Sequence, residues 1–222
     1  MFFRRARGKK ATSKAELAAR AHDWQAFAER LELADASFRE AYVRELIFSE
    51  DTLKFSPIYG LEPTDDLTLL LFDYVKVRKG PLGEARKLVS NCLLSATHDI
   101  APLSLRASPR QDVRLETLGA SASGGDILRL EDDPEFSAKV TLYARETDRV
   151  QAFLTAPLKR VMLQIITRAE NPALRPTLLL GEQHILLSCS AASDAPTSFE
   201  VIEGLTTDAL SFYSALKACQ RT

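Results

Sequence analysis

Residues Gly125–Arg168 read GDILRLEDDPEFSAKVTLYARETDRVQAFLTAPLKRVMLQIITR, and the periodicity changes twice inside them. Asp126–Glu131 is strand-like, and Asp132-Asp133-Pro134 marks a turn, because Asp and Pro favour tight chain reversal. From Ser137 to Arg145 apolar and polar residues alternate, with Ala138, Val140, Leu142 and Ala144 on one side and Lys139, Thr141, Tyr143 and Arg145 on the other. That pattern predicts a strand with one buried and one wet face. The spacing then becomes helical. Leu154, Leu158, Val161, Met162, Ile165 and Ile166 share a face opposite Lys159, Arg160, Gln164 and Arg168. Thr155 stands where an N-cap is needed, and Pro157 falls in the first turn, where a missing N–H costs little. A helix with such a stripe must be buried on the sheet.

Working outward, Leu67–Val77 (LTLLLFDYVKV) predicts a strand ended by Lys79-Gly80-Pro81, with Leu88–Ala96 returning as its antiparallel partner. Pro102–Arg106 and Val113–Leu118 read as further strands, and Ala120–Gly125 as a loop within one domain. Leu178–Leu180 and Ile185–Cys189 flank Gly181-Glu182-Gln183, a hairpin signal. The chain closes in a helix over about 207–221, with Ala209, Phe212, Tyr213 and Leu216 on one face. At the front, Ser13 and Glu16 have the spacing of a capping box. Leu17, Ala21, Trp24, Ala28 and Leu31 then form one stripe of a helix over about 14–33. Residues 38–48 suit either a helix, with Phe38, Tyr42 and Leu46 on one side, or a strand. Consecutive strands with helices grouped before and after them indicate an α+β fold. The expectation is an antiparallel sheet with amphipathic helices on one face and an N-terminal helical extension. A basic flexible arm over 1–12 precedes a single domain over 13–222, whose sheet-rich core spans about 53–190.

Two stretches, Leu69–Gly80 (LLLFDYVKVRKG) and Asp132–Val161, the latter with its DDPEF turn and its FLTAPL helix start, resemble a bacterial family of uncharacterised α+β domains of unknown function. The matching positions are core and turn residues. The resemblance therefore implies a fold, and it carries over no catalytic residue.

The composition excludes more than it selects. A chain of 222 residues buries enough surface to fold without disulfides or metals. Cys92, Cys189 and Cys219 are odd in number, widely spaced and without a C-x-x-C pair, so they are expected to be reduced, in the cytoplasm. No run approaches the ~20 apolar residues of a membrane-spanning helix. No G-x-S-x-G elbow, phosphate loop or G-x-G-x-x-G occurs. His22, His98 and His184 lack metal-ligand spacing. Cys92 with His98 and Asp99 would supply a nucleophile, a base and an orienter, the one route to a hydrolase assembled from scattered residues. Cys92 lies within the apolar stretch LVSNCLLSA, however, and reads as a buried inert thiol. Asp65-Asp66 and Asp132-Asp133 with Glu135 read as turn and cap residues rather than a calcium loop. No catalytic residue, cofactor or metal is expected.

The one charge cluster is Arg4, Arg5, Arg7, Lys9 and Lys10. With a net charge of −1 overall and these five positive charges in the first ten residues, the remainder carries −6. Any nucleic-acid or anionic-membrane contact is therefore expected from the arm alone. The leading expectation is a non-enzymatic domain that binds a protein partner or its own copy.

Overall fold

A computed structural model describes residues 14–47, 52–80, 83–110, 125–167, 174–191 and 197–220. Helix α1 (Lys14–Arg30) opens the chain. It stops before Leu33 because Glu32 turns left-handed (φ 55°). Leu33 N–H donates to the Ala28 carbonyl and Glu32 N–H to the Glu29 carbonyl, the paired bonds of a Schellman cap. Strand β1 (Ala34–Asp35), a 3₁₀ turn (Ser37–Arg39) and helix α2 (Glu40–Leu46) follow. The helical alternative thus holds over Glu40–Leu46, and of the three residues expected on one side Leu46 packs against the core while Phe38 and Tyr42 do not. Val43 is the buried residue of α2, whereas Phe38 is 80% exposed and Tyr42 projects to the surface.

Strands β2 (Thr52–Phe55), β3 (Tyr59–Thr64), β4 (Leu67–Gly80) and β5 (Gly83–Ala96) come next. Strands β4 and β5 form one long hairpin, paired from Leu67↔Ala96 to Gly80↔Gly83. Then come β6 (Leu105–Pro109), β7 (Asp126–Leu128), α3 (Pro134–Lys139), β8 (Val140–Ala144), α4 (Thr147–Phe153) and α5 (Ala156–Thr167). The hairpin β9 (Leu174–Leu180) and β10 (His184–Ala191) and the helix α6 (Phe199–Cys219) complete the order. All ten strands join one antiparallel sheet in the order β1-β3-β4-β5-β10-β9-β6-β8-β7, with β2 also on β4. The α+β class and the antiparallel sheet are as expected.

Several boundaries differ. The alternating run Ser137–Arg145 is not one strand. Its first residues belong to α3, where Asp133 caps the Phe136 N–H at 3.1 Å and Pro134 takes the first turn. The true strand β8 is buried at all five positions. The polar side of the expected alternation, Thr141 and Tyr143, is therefore buried as well. The strand expected over Pro102–Arg106 lies later, at Leu105–Pro109. The last helix starts at Phe199 rather than near Thr207. In α5 the buried residues are Leu158, Met162, Ile165 and Ile166, while Val161 is half-buried. Thr155 Oγ1 lies 3.1 Å from Cys219 Sγ, and the Thr155 carbonyl accepts from the Lys159 N–H at 2.9 Å. The strand expected at Val113–Leu118 and the loop residues 120–124 lie outside the described residues.

Strand parity divides the molecule. On the front face Leu69, Leu71, Cys92, Leu94, Leu178, Leu180, Ile185 and Leu187 are buried under α1, α5 and α6. From α6 come Ile202, Leu205, Ala209, Phe212 and Leu216, at spacings of three and four. Each large side chain buried this way contributes roughly 1.5–3 kcal/mol before entropy is subtracted. Gln220 Nε2 donates to the Ile100 carbonyl at 2.9 Å and ties the end of α6 to the loop after β5. The rear face has a smaller core, in which Val43 of α2, Ala36 and Ile58 pack on Leu70, Phe72, Leu93 and Leu186.

Candidate functional site

Two polar features interrupt these cores. The first is a buried bolt on the front face. Asp73 shares the inward parity of Leu69 and Leu71 and is 1% exposed. Its Oδ2 accepts from Arg20 Nε at 2.8 Å and from Trp24 Nε1 at 2.7 Å. The Arg20 guanidinium lies 4.0 Å from the centroid of Phe199, and Trp24 packs edge-on to Phe27 and Phe199 and is stacked on Tyr59. Asp73 Oδ1, Arg20 Nη2 and the Ser90 hydroxyl are buried with no hydrogen-bond partner among the described residues. The bolt joins α1, β4 and the first turn of α6. It is enclosed by aromatic rings, which suits clamping rather than chemistry.

The second is a trough of about 840 Å³ on the rear face. Six strands make its floor, in the order β4-β5-β10-β9-β6-β8, and every neighbouring pair of them is hydrogen-bonded. The registers set rows across the floor, with cations towards both of its ends: Arg106 stands opposite Leu179, and Lys87 lies two residues before Val89. Leu186 and Leu179 line one row beside Leu46 and Ile47 of the α2 wall, and Leu93 in the same row is wholly buried in the rear core. Asn91, Ser188 and Thr177 make the next row, in which Ser188 Oγ donates to Asn91 Oδ1 at 2.7 Å and Asn91 Nδ2 donates to the Val89 carbonyl at 2.9 Å. Beyond it Ser190 faces Arg175, and Lys76 directly faces Lys87 across the hairpin. Like charges directly opposite in a sheet repel. Neither lysine is without partners inside the fold.

Among the described lining residues the cations are Lys76, Lys87, Arg106, Arg145 and Arg175, and the carboxylates are Glu146 and Glu182. Five against two leaves a local excess of three positive charges, opposite in sign to the chain as a whole. Arg106 extends over the Tyr143 ring, 5.9 Å from its centroid. Burial pushes the Tyr74 hydroxyl up to about 12, although Arg106 opposes the shift, so it remains a neutral donor at physiological pH.

The residues singled out as a nucleophile set are not brought together. Cys92 is fully buried on the front face, and burial pushes its thiol up to about 12. His98 is 44% exposed, with its Nδ1 3.8 Å from Asp66. Asp99 accepts from Gln183 Nε2 at 3.0 Å. A thiol held neutral inside the core has no access to a base on the surface. All three cysteines are free thiols, and burial raises Cys189 to about 11. The Asp133 carboxyl is a cap, as read from the sequence, and its bond from the Phe136 N–H holds it below the usual carboxylate range. Arg4, Arg5, Arg7, Lys9 and Lys10 lie outside the described residues. Among the described residues no group of three His, Cys, Asp or Glu side chains is placed to hold a metal ion, and no helix is long and apolar enough to cross a membrane.

Sequence reasoning missed both features. Asp73 had a local signal, a lone carboxylate on the inward parity of an apolar strand. The trough had none, because its lining comes from six strands far apart in the chain. No family model, no curated protein and no solved structure matches the chain.

Proposed function

We propose that this chain is a non-enzymatic binding domain whose partner is another protein, seated in the rear trough. The observation that carries this reading is the contrast in cover between the two faces. Helices cover the front of the sheet, while among the described residues a concavity of about 840 Å³ lined by Leu179, Leu186 and several cations remains behind it. Open apolar concavities edged by polar groups are where soluble domains bind. Membership of the bacterial family resembled by Leu69–Gly80 and Asp132–Val161 is compatible with this reading and adds no catalytic residue to it.

Self-association through the last helix or the sheet edges is the weaker form of the proposal. The apolar stripe of α6 is already buried, with Phe212 and Leu216 inside the front core. The β3 edge carries Pro63 and a register shift between Leu61 and Thr64, and β7 at the other edge has three residues. Proline, irregular register and shortness are the devices that keep strand edges from pairing.

The test places a photoreactive benzoylphenylalanine at Thr177 in the trough or, as control, at exposed Ser211 on α6. Irradiation in extracts of the source cells is expected to give discrete protein adducts from position 177 alone. Equal adducts from both positions, or adducts to nucleic acid or lipid only, would overturn the reading. The second of those outcomes would favour contact through Arg4, Arg5, Arg7, Lys9 and Lys10.

A further inference from the structure

We propose that the bolt on the front face holds one buried water molecule, bound between Arg20, Asp73 and Ser90. The site is separate from the rear trough and independent of what occupies it. Asp73 and Ser90 are directly opposed on β4 and β5, so their side chains share the front face. Arg20 reaches Asp73 from α1, and Phe199 of α6 covers its guanidinium. Arg20, Asp73 and Ser90 are 7%, 1% and 0% exposed, so bulk solvent does not serve their polar atoms.

The bonds already made define what is left over. The Nε–Nη2 edge of a guanidinium ordinarily grips both oxygens of a carboxylate. In the bolt, Arg20 Nε and Trp24 Nε1 both donate to Oδ2, at 2.8 and 2.7 Å. Asp73 Oδ1, Arg20 Nη2 and Ser90 Oγ have no hydrogen-bond partner among the described residues. Planarity fixes Nη2 beside Nε and Oδ1 beside Oδ2, so the bond from Nε to Oδ2 keeps the unpartnered pair close together. The cross-strand neighbours of Ser90 are Asp73 and Cys189, and a thiol is a weak partner. Buried polar groups are paired in folded proteins, through ordered water where no side chain reaches them.

The three atoms also select the ligand. Nη2 can only donate and a carboxylate oxygen only accept, while a hydroxyl does either. A cation at this point would meet the guanidinium, and an anion would meet the carboxylate. A neutral molecule that both accepts and donates satisfies all three, taking a bond from Nη2 and giving one each to Oδ1 and Oγ. Opposed side chains in an antiparallel pair have Cβ atoms about 4.5–5.5 Å apart. Two hydrogen bonds of about 2.8 Å to one oxygen span a similar distance. Water has that pairing capacity and that size. It would complete a joint between α1, β4 and β5 that the side chains leave half-made.

The test is a crystal structure of the full chain at a resolution that orders internal water, with urea unfolding of Ser90→Ala in two backgrounds. One water oxygen should lie within hydrogen-bond distance of Asp73 Oδ1, Arg20 Nη2 and Ser90 Oγ. In the otherwise wild-type chain, Ser90→Ala should lower the folding equilibrium constant about five-fold, the effect of one hydrogen bond. In the Arg20→Met/Asp73→Leu background the same substitution should leave that constant unchanged or raise it, because the bridge is already gone. Trp24 is the only tryptophan, so its emission reports whether α1 stays docked in each variant. A direct Nη2–Oδ1 bond, with no oxygen between the three side chains, would overturn the proposal. So would a loss of equal size in both backgrounds, or a gain from Ser90→Ala in the wild type, since the hydroxyl would then be packed dry.

Discussion

Adjacent residues of β9 have opposite surroundings. Leu178 is wholly buried on the front face under the helices, whereas Leu179 is half-buried on the rear face beside the trough. A like contrast separates buried Leu187 from half-buried Ser188 and buried Leu105 from half-buried Arg106. One set of strands thus carries two separable properties. The front parity supplies stability through close-packed apolar burial, and the rear parity combines a smaller core under α2 with the half-buried and exposed positions that line the trough. Substitutions at neighbouring positions should therefore have different consequences, from the largest effect downward.

The sharpest is at Asp73, where a charge sits on the stabilising face. Asp73→Leu should destabilise by about 3–5 kcal/mol, because Arg20 is left charged and uncompensated among apolar and aromatic groups. Arg20→Met combined with Asp73→Leu should recover most of that loss, since the pair's desolvation cost disappears with both partners. Urea unfolding of the two variants measures this. If Asp73→Leu alone were neutral, the bolt would not fasten α1 to the sheet.

Leu178→Ala and Leu179→Ala form the direct comparison. The first should cost about 2–5 kcal/mol, the range for a large core side chain that leaves a cavity. The second should cost less than half as much, since its surroundings are partly open. Equal losses in chemical denaturation would mean that the rear face is as much a core as the front, and the trough reading would fail with it.

Much of the front face was legible in the sequence and almost none of the rear. Burial under helices leaves a linear trace, which is why Leu158, Met162 and Ile165 and the run Leu67–Val77 could be read directly. Errors arose where two local signals competed. Alternation over Ser137–Arg145 outweighed the Asp133-Pro134 helix start, although the start governs the first residues of that run. The first turns of α6 were hidden because Val201, Ile202 and Gly204 are weak helix formers, and packing of Ile202 and Leu205 on the core overrides that preference. The trough is written only in pairings such as Lys76↔Lys87 and Ser190↔Arg175, which exist once the sheet has formed.

A smaller effect comes from the cap of α3. Asp133→Ala should cost about 1 kcal/mol through the lost bond to the Phe136 N–H. The sign with pH follows from the depressed carboxyl. Its contribution is fully present above the unfolded value, ~3.9, and is lost as pH falls through the lower folded value. Wild type and Asp133→Asn should therefore converge in stability below that value. A constant difference from pH 7 down to pH 2 would assign the stabilisation to something other than the charged cap.

The smallest effect belongs to the β9–β10 hairpin. His184 lies half-buried at the start of β10, and its ring sits over Gly181, where an added Cβ would come within 2.3 Å of it. The Gly181 N–H donates to the His184 carbonyl at 2.8 Å and closes the turn. Burial lowers the imidazole below its usual range, so the folded state binds a proton less readily than the unfolded chain does. Between the unfolded value, ~6.5, and the lower folded one, the unfolded chain holds more protons, and stability must rise with pH. The stabilisation is complete above ~6.5 and is lost as the solution is acidified through the folded value. His184→Gln removes the titration, so its stability should change less than that of the wild type between about pH 7 and pH 5. The readout is the difference in urea midpoint slope against pH, because the substitution itself shifts the absolute value. Identical slopes would mean that the imidazole protonates without leaving its place over Gly181. An additional Gly181→Ala variant gives the companion measure: the strand turn should open only if the ring is displaced, and that displacement should make the His184 ring titrate nearer its ordinary value.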